Sequence, residues 1–404
     1  MSIHAFAIVG KGFEKAVADN IQELAEVSKI HTLNTLIKFE AKNYHELCRV
    51  VYTSQAVNRV LLFIGEMDYS ENIDASEADF TSIDKNLEHM LSTLNIIREG
   101  SSFRVSLQNS TTDYVDKDIE GSFGQHILEF SKQKNLHISV NLKKPDVTFY
   151  IYISNSKMYF GIDLSGDLSK RDYKIFNNPM SLKGTTAFGL LKIADYKPSE
   201  SILDVFCNSG VLEVEAALYA NKIPHRIYNK DFPFMKLKLF GESDNDTEFE
   251  KLFKEIDGEK KNNKLNITAS DPLLRNITAA KKNAKIAGVE KFIDFRRIDT
   301  DWLDTKFEKR SIDKIITFIP GSSKHRNPKE LEKSFTEFFY QAEFIIKKTG
   351  LVVVMCLSKD LLIKSSEKYF EIDKEHEVFS GDQSMSIIFF KILSKKEKDA
   401  ITNK

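Results

Sequence analysis

The stretch Leu203 to Ala217, LDVFCNSGVLEVEAA, constrains the fold more than any other part of this chain. An apolar strand, Ile202 to Phe206, carries the acidic Asp204 at its end, a tight polar turn follows, and a helix starts near Val211. The side chains from Cys207 to Gly210 are small, so this backbone can approach a neighbour closely. Gly210 is free to take positive φ, and Asn208 is the non-glycine residue best suited to a left-handed turn. The same rhythm then repeats. Leu265 to Ser270 reads as a strand, Leu273 to Ala287 as a helix stopped by Gly288, and Lys314 to Ile319 as a strand. Glu330 to Lys347 is a helix and Leu351 to Leu357 a strand. Repeated strand–helix–strand units predict an α/β fold, a doubly wound parallel sheet with helices on both faces. Tyr369 to Phe379 and Ser384 to Leu393, joined by Ser380-Gly381-Asp382, predict an antiparallel hairpin that closes it.

The amino-terminal half has a different texture. His4 to Val9 reads as a strand, and Phe13, Val17, Ile21 and Leu24 repeat at helical spacing. Asn58 to Glu66 is strand-like, and Asp118 to Lys132 helical. Thr148 to Ile153 and Lys157 to Ile162 flank Ser154-Asn155-Ser156, the turn chemistry of a hairpin. Residues 242–264 are charged enough to predict a solvated helix and loop, and Lys281, Lys282 and Lys285 one exposed helix face. Trp302 is expected in the core.

Bulk properties narrow the field without choosing within it. A chain of 404 residues predicts two or three domains. No apolar run is long enough for a bilayer span, and the start lacks a cleavable signal's layout. Cys48, Cys207 and Cys356 are too scattered for a zinc site or a disulfide framework, which predicts a cytoplasmic protein without a metal. The net charge of −1 hides an asymmetry: residues 1–90 hold 8 Lys plus Arg against 14 Asp plus Glu, so the remainder is basic. That suits a phosphate-bearing partner without demanding one.

Two further strand ends carry acids. Asp271 follows Ser270, where a carboxylate can accept both hydroxyl hydrogens of a ribose. Asp299 follows Ile298, where it can accept from an adenine amino group. A G-x-G-x-x-G loop is absent after the first strand of this series, so an adenosyl ligand without a pyrophosphate fits better than a dinucleotide.

On these residues the chain resembles a known family. LDVFCNSGVLEVEAA resembles the D-P-F-C-G-S-G-T…E-A-A motif of RNA and DNA amino-methyltransferases, and the whole chain is similar to the THUMP-domain RNA methyltransferases. AFAIVGKGFEKAVADNIQEL and QAVNRVLLFIGE resemble that family's ferredoxin-like region. Val140 to Lys174 resembles the end of a THUMP domain, and NPMSLKGTTAFGLLKIA the P-x-x-L-K helix that enters the catalytic domain. The resemblance implies a ferredoxin-like region at 1–95, a THUMP-like RNA-binding domain at 96–175, a Rossmann-like methyltransferase domain at 176–394 and a tail at 395–404. It implies S-adenosyl-L-methionine as cofactor and an RNA substrate, tRNA or rRNA, methylated at guanine N2. Asp204, Phe206, Cys207, Ser209 and Gly210 would line the methionine side of that cofactor, Asp271 its ribose and Asp299 its adenine. Lys143, Lys144, Lys170 and Arg171 are implied phosphate contacts, with Lys324 and Arg326 nearer the site mouth.

The sequence departs from that pattern in two places. Val205 and Asn208 stand where Pro and Gly are usual. After the fourth strand, Phe318-Ile319-Pro320-Gly321 replaces Asn/Asp-Pro-Pro-Tyr/Phe, so only Pro320 matches. Phe318 cannot accept a hydrogen bond from a base amine, and Gly321 cannot stack. Three readings stay open: a base methyltransferase with Phe318 and Pro320 at the catalytic position, its base contacts rebuilt from Ser322, Ser323, His325 or Arg326 and its stacking taken over by Phe318; a methyltransferase for another atom or substrate; and a catalytically silent RNA-binding protein.

Overall fold

Apolar residues on both faces of β1 (Ile3–Ile8) place this strand inside a sheet rather than at its edge. The computed structural model describes residues 2–69, 79–93, 96–110, 118–178, 180–240, 245–319, 328–381 and 383–394. The chain divides into two units, Met1–Ser169 with Arg226–Glu259, and Lys170–His225 with Lys260–Lys404.

In the first unit β1 is joined by β2 (Val27–Leu33), β3 (Leu36–Ala41), β4 (Arg59–Asp68), β5 (Ser102–Asn109), β6 (Ser139–Val140), β7 (Val147–Ser154) and β8 (Lys157–Asp163). They form one sheet of order β2-β3-β1-β4-β8-β7-β5-β6, so the regions before and after residue 95 share it through β4 and β8. The β7–β8 hairpin turns on Asn155 and Ser156, both with positive φ, as a two-residue connection requires. Helices α1 (Glu14–Leu24), α2 (Tyr44–Thr53), α3 (Asp84–Glu88) and α4 (Asp118–Gln133) complete the order up to β8.

The charged insertion forms the expected helix with an exposed charged face, but its composition hides an apolar stripe on the other face. The stripe Phe249, Leu252, Phe253 and Ile256 repeats at i, i+3, i+4 and i+7 and is buried within the first unit. Tyr52 meets Phe253 edge-on at 4.9 Å and donates its hydroxyl to Asp257 at 2.8 Å. Exposed Glu255 of the same helix and Glu259 just past its end pair with Arg49.

The second unit opens with α5 (Gly184–Ile193), β9 (Ile202–Asp204) and α6 (Val211–Ala220); the insertion helix is α7 (Asn245–Gly258). It continues with β10 (Ile267–Asp271), α8 (Leu274–Ile286), β11 (Ile293–Arg297), α9 (Leu303–Lys306), β12 (Ile312–Ile319), α10 (Pro328–Ile345) and β13 (Ile346–Cys356). Then follow α11 (Lys359–Ser366), β14 (Phe370–Ser380) and β15 (Gln383–Ile392). The sheet runs β11-β10-β9-β12-β13-β15-β14. Its first five strands are parallel, and β15 is antiparallel to both neighbours. This is the doubly wound sheet with an antiparallel closing hairpin. Trp302 does not join the core: it is 59% exposed in the turn after β11, correcting the expectation. No helix among the described residues is long and apolar enough to cross a membrane.

Candidate functional site

Strand β9 pairs with β10 on one side and β12 on the other, so the chain leaves it in opposite directions. Such a switch point opens a crevice beyond the carboxyl ends of the strands. Asp204 ends β9 there. It is buried, and accepts hydrogen bonds from the Phe206 amide at 2.9 Å and the Thr317 hydroxyl at 2.6 Å. Burial pushes its carboxyl up to about 7 against these two bonds, with the charge of Asp271 acting in the same direction.

The turn that follows is shaped by backbone rather than side chains. The Cys207 amide donates to Ser270 of β10 at 3.0 Å, and the Gly210 amide closes on the Cys207 carbonyl at 2.8 Å. Asn208 and Gly210 both have positive φ, at 50° and 76°. A Cβ on Gly210 would lie 2.7 Å from the Cβ of Ala280 in α8, so this helix packs directly on the turn. Gly210→Ala is therefore expected to destabilise the second unit by at least about 1–2 kcal/mol from φ alone, with the overlap adding to it. Urea unfolding read by amide exchange in α6 measures this; wild-type stability would contradict it.

Asp271 at the end of β10 faces the same space. One oxygen accepts the Leu273 amide at 2.9 Å, the other the Asn208 amide at 3.1 Å, and the Asn276 side-chain amide donates to both at 3.0 Å. Burial raises its carboxyl pKa against these donors. A cavity of about 530 Å³ lies alongside, with Met180, Phe206, Asn208, Asp271, Asn276 and Phe335 among its walls. Behind it, Asn283 holds the Ser209 carbonyl at 2.9 Å and both backbone groups of Phe176, and the Ser181 and Ser209 hydroxyls bond to each other. The segment before α5 is thereby tied to the turn.

The expected residues divide into groups. Phe206 and Asp271 reach the cavity wall, while Asp204, Cys207, Ser209 and Gly210 form the buried support beneath it. Burial raises the Cys207 thiol well above its usual range, so it is not a thiolate nucleophile. Asp299 is exposed after β11 and is not part of the cavity wall. Phe318 is buried in β12, opposite Met355 of β13. Pro320, Lys324 and Arg326 lie outside the described residues, as does the tail from 395. Lys143, Lys144 and Lys170 are exposed.

Arg171 corrects the expectation of a phosphate contact. It is buried, with Nε 2.6 Å and Nη2 3.2 Å from the two oxygens of Glu215 in α6, and the Tyr173 hydroxyl donates to the same carboxylate at 2.6 Å. Its charge is spent inside the fold. Sequence reasoning also missed Thr317, Asn276, Asn283 and Glu213. Asn276 had a signal, standing one turn into the helix after Asp271; Glu213 had none, because an acid at a helix start reads as an ordinary first-turn residue. Among the described residues there is no group of His, Cys, Asp and Glu arranged to hold a metal.

Residues 171–385 match the family model UPF0020, described as RMKL-like, methyltransferase domain. A tRNA (guanine(6)-N2)-methyltransferase of Methanocaldococcus jannaschii is 30% identical over 294 residues, 70% of this chain and 74% of that protein. The protein of the same name from Archaeoglobus fulgidus is 27% identical over 67% of this chain and 64% of its own length. Ribosomal RNA large subunit methyltransferase K/L of Buchnera aphidicola is 25% identical over 60% of this chain, which spans only 36% of that protein. In fold, TrmN from Thermus thermophilus superposes with a TM-score of 0.68 over 97% of this chain and all of that one, at 17% identity. SMU.472, solved with SAH, gives 0.77 over 97% and 99%, also at 17% identity.

Proposed function

The chain belongs to the UPF0020 family of RMKL-like methyltransferase domains, and from that premise we propose that its substrate is tRNA and its target the exocyclic N2 of a guanine. It is an S-adenosylmethionine-dependent RNA methyltransferase. The observation that carries the narrower reading is the likeness to two archaeal tRNA (guanine(6)-N2)-methyltransferases over about two thirds or more of this chain.

The residues fit that cofactor. The turn after β9 is surrounded by carboxylates, and among the described residues no other residue offers a hydrogen bond to either buried oxygen of Glu213. Acids of this kind repel a pyrophosphate and suit a ligand that carries positive charge. The adjoining cavity is of ordinary ligand size. When bound, S-adenosylmethionine supplies an electrophilic methyl on a sulfonium.

The protein's own work is positioning. Asp271 accepts the ribose hydroxyls, with Asn276 fixing the plane of its carboxylate. Asp204 and the turn to Gly210 hold the methionyl end, and the adenine amine extends beyond the cavity wall to Asp299, which is exposed after β11. Phe206, Ile319 and Phe335 give the cavity apolar walls that exclude water and pack a base ring. Holding donor and acceptor in line supplies most of the acceleration, so no strong base is needed. Phe318-Ile319-Pro320-Gly321 replaces an acceptor-bearing motif, and the base amine is left to be oriented by its surroundings. The amino-terminal region, ferredoxin-like to residue 95 and THUMP-like from 96 to 175, grips the RNA, with Lys143, Lys144 and Lys170 as phosphate contacts.

The test is nucleoside mass spectrometry after incubating the full chain with unmodified tRNA and S-adenosylmethionine. N2-methylguanosine is the expected product. A methyl on another atom would refute the N2 assignment. Cofactor binding without any methylated nucleoside would favour the silent RNA-binding reading, for which the burial of Phe318 is the structural motive.

A further inference from the structure

We propose that Asp204 and Glu213 form a proton-sharing pair that distinguishes the cationic methyl donor from its product, whose sulfur is uncharged; this rests on the cofactor reading above and deepens it. Glu213 is the third residue of α6, directly behind the turn that ends at Gly210. Its neighbours Val211, Leu212, Val214, Ala216 and Ala217 are all buried, and Glu213 is itself 0% exposed. Neither carboxylate oxygen has a hydrogen-bond partner in another residue among the described residues, and only its own backbone amide favours the charged form.

The groups whose charge reaches Glu213 are Asp204 from the end of β9 and Asp271 from the end of β10, and it acts in turn on the Cys207 thiol. None of these is cationic. Arg171 is committed to Glu215, which lies two residues further along α6 and so points away from Glu213. An ionised carboxylate in such a place is strongly disfavoured unless something balances it. A proton or an incoming cation can do so. Two carboxylates buried at either end of one turn do not both ionise readily, and their protons belong to the pair rather than to either residue. Burial raises both acids, with the charge of Asp271 adding to it at Asp204 and the charges of Asp204 and Asp271 adding to it at Glu213.

The ligand's charge decides which balance is struck. S-adenosylmethionine carries a sulfonium and an ammonium against one carboxylate, net +1; S-adenosylhomocysteine carries the ammonium and carboxylate alone, net zero. Before binding, the pair holds one proton near neutral pH. On meeting the donor's extra positive charge it gives that proton to solvent and becomes fully ionised; no bond of the ligand changes. With the product, the charge that displaced the proton is gone, the pair takes a proton back from solvent, and its grip loosens. The sign follows: raising pH removes the proton that competes with the cation, so donor affinity rises with pH while product affinity stays flat.

Calorimetric titration of the full chain with each ligand from pH 6 to 8, in phosphate and in Tris, reads the proton directly. About one proton released per donor bound near pH 7 is expected, with donor affinity rising by up to about tenfold per pH unit, and no release with the product. Glu213→Gln and Glu213→Leu are expected to abolish the release and to cut the donor-over-product preference by about tenfold. Should either variant fail to fold, the wild-type proton count decides alone. Donor binding without proton release, or equal release with both ligands, overturns the inference and leaves the cofactor reading standing. Failure of both ligands to bind at millimolar concentration overturns the two together.

Discussion

Replacing Arg171 by alanine is expected to destabilise the second unit by about 3–5 kcal/mol, the cost of leaving one partner of a buried ion pair alone. Both side chains of the Arg171–Glu215 pair are fully buried. The guanidinium meets both carboxylate oxygens, and Tyr173 supplies a further donor. Even the backbone makes room for it: a Cβ on Gly184 would come within 2.5 Å of the Arg171 Nε. Removing the cation leaves Glu215 with the Tyr173 hydroxyl alone among these three donors. The loss should show as a lower urea midpoint and faster amide exchange in α6, the helix that carries the cofactor turn. A double variant, Arg171→Met with Glu215→Leu, is expected to recover most of the stability, because no charge is then buried. If Arg171→Ala is as stable as wild type but binds tRNA weakly, the residue serves RNA after all.

The second large effect concerns Asp271. Two hydrogen bonds from ribose hydroxyls to an ionised acceptor are worth about 1.5–3 kcal/mol each. Asp271→Ala is therefore expected to weaken S-adenosylmethionine binding by at least about 100-fold. The carboxylate also takes the Asn208 amide, so part of the loss comes from a loosened turn. Asn276→Ala separates the two contributions: it keeps the acceptor and removes only the donor that fixes its plane, and a loss near tenfold is expected. Calorimetric titration measures both variants, with amide exchange in α8 as the check on folding. An unchanged affinity for Asp271→Ala would refute the ribose assignment.

What could be read from the chain alone follows from which interactions are local. The run from Leu203 to Ala217 encodes strand, turn and helix in one window, and α6 begins where the pattern says. The closing hairpin was equally legible, because period-two alternation and a Ser-Gly-Asp turn are neighbours in sequence. Strand β2 escaped because it is largely exposed and interrupted at Lys29, whose positive φ breaks the pairing with β3. Helix α7 was visible as a helix, yet its charge hid a four-residue apolar stripe. Burial of charge was the least legible feature. Nothing in the letters Lys170-Arg171-Asp172 says that the middle one faces a glutamate forty-four residues away. Glu213 is the same lesson in reverse, an acid whose burial only the packing of α6 discloses. Trp302 shows that size and hydrophobicity alone do not decide burial in a turn.

The most direct test of the account is transfer of a labelled methyl from S-adenosylmethionine to tRNA, run side by side with wild-type protein and Asp271→Ala. Label accumulating in tRNA with the wild type, and at most a small fraction of it with the variant, is the expected result. No incorporation into tRNA or ribosomal RNA by wild-type protein that binds the cofactor would contradict the claim that this chain is an RNA methyltransferase.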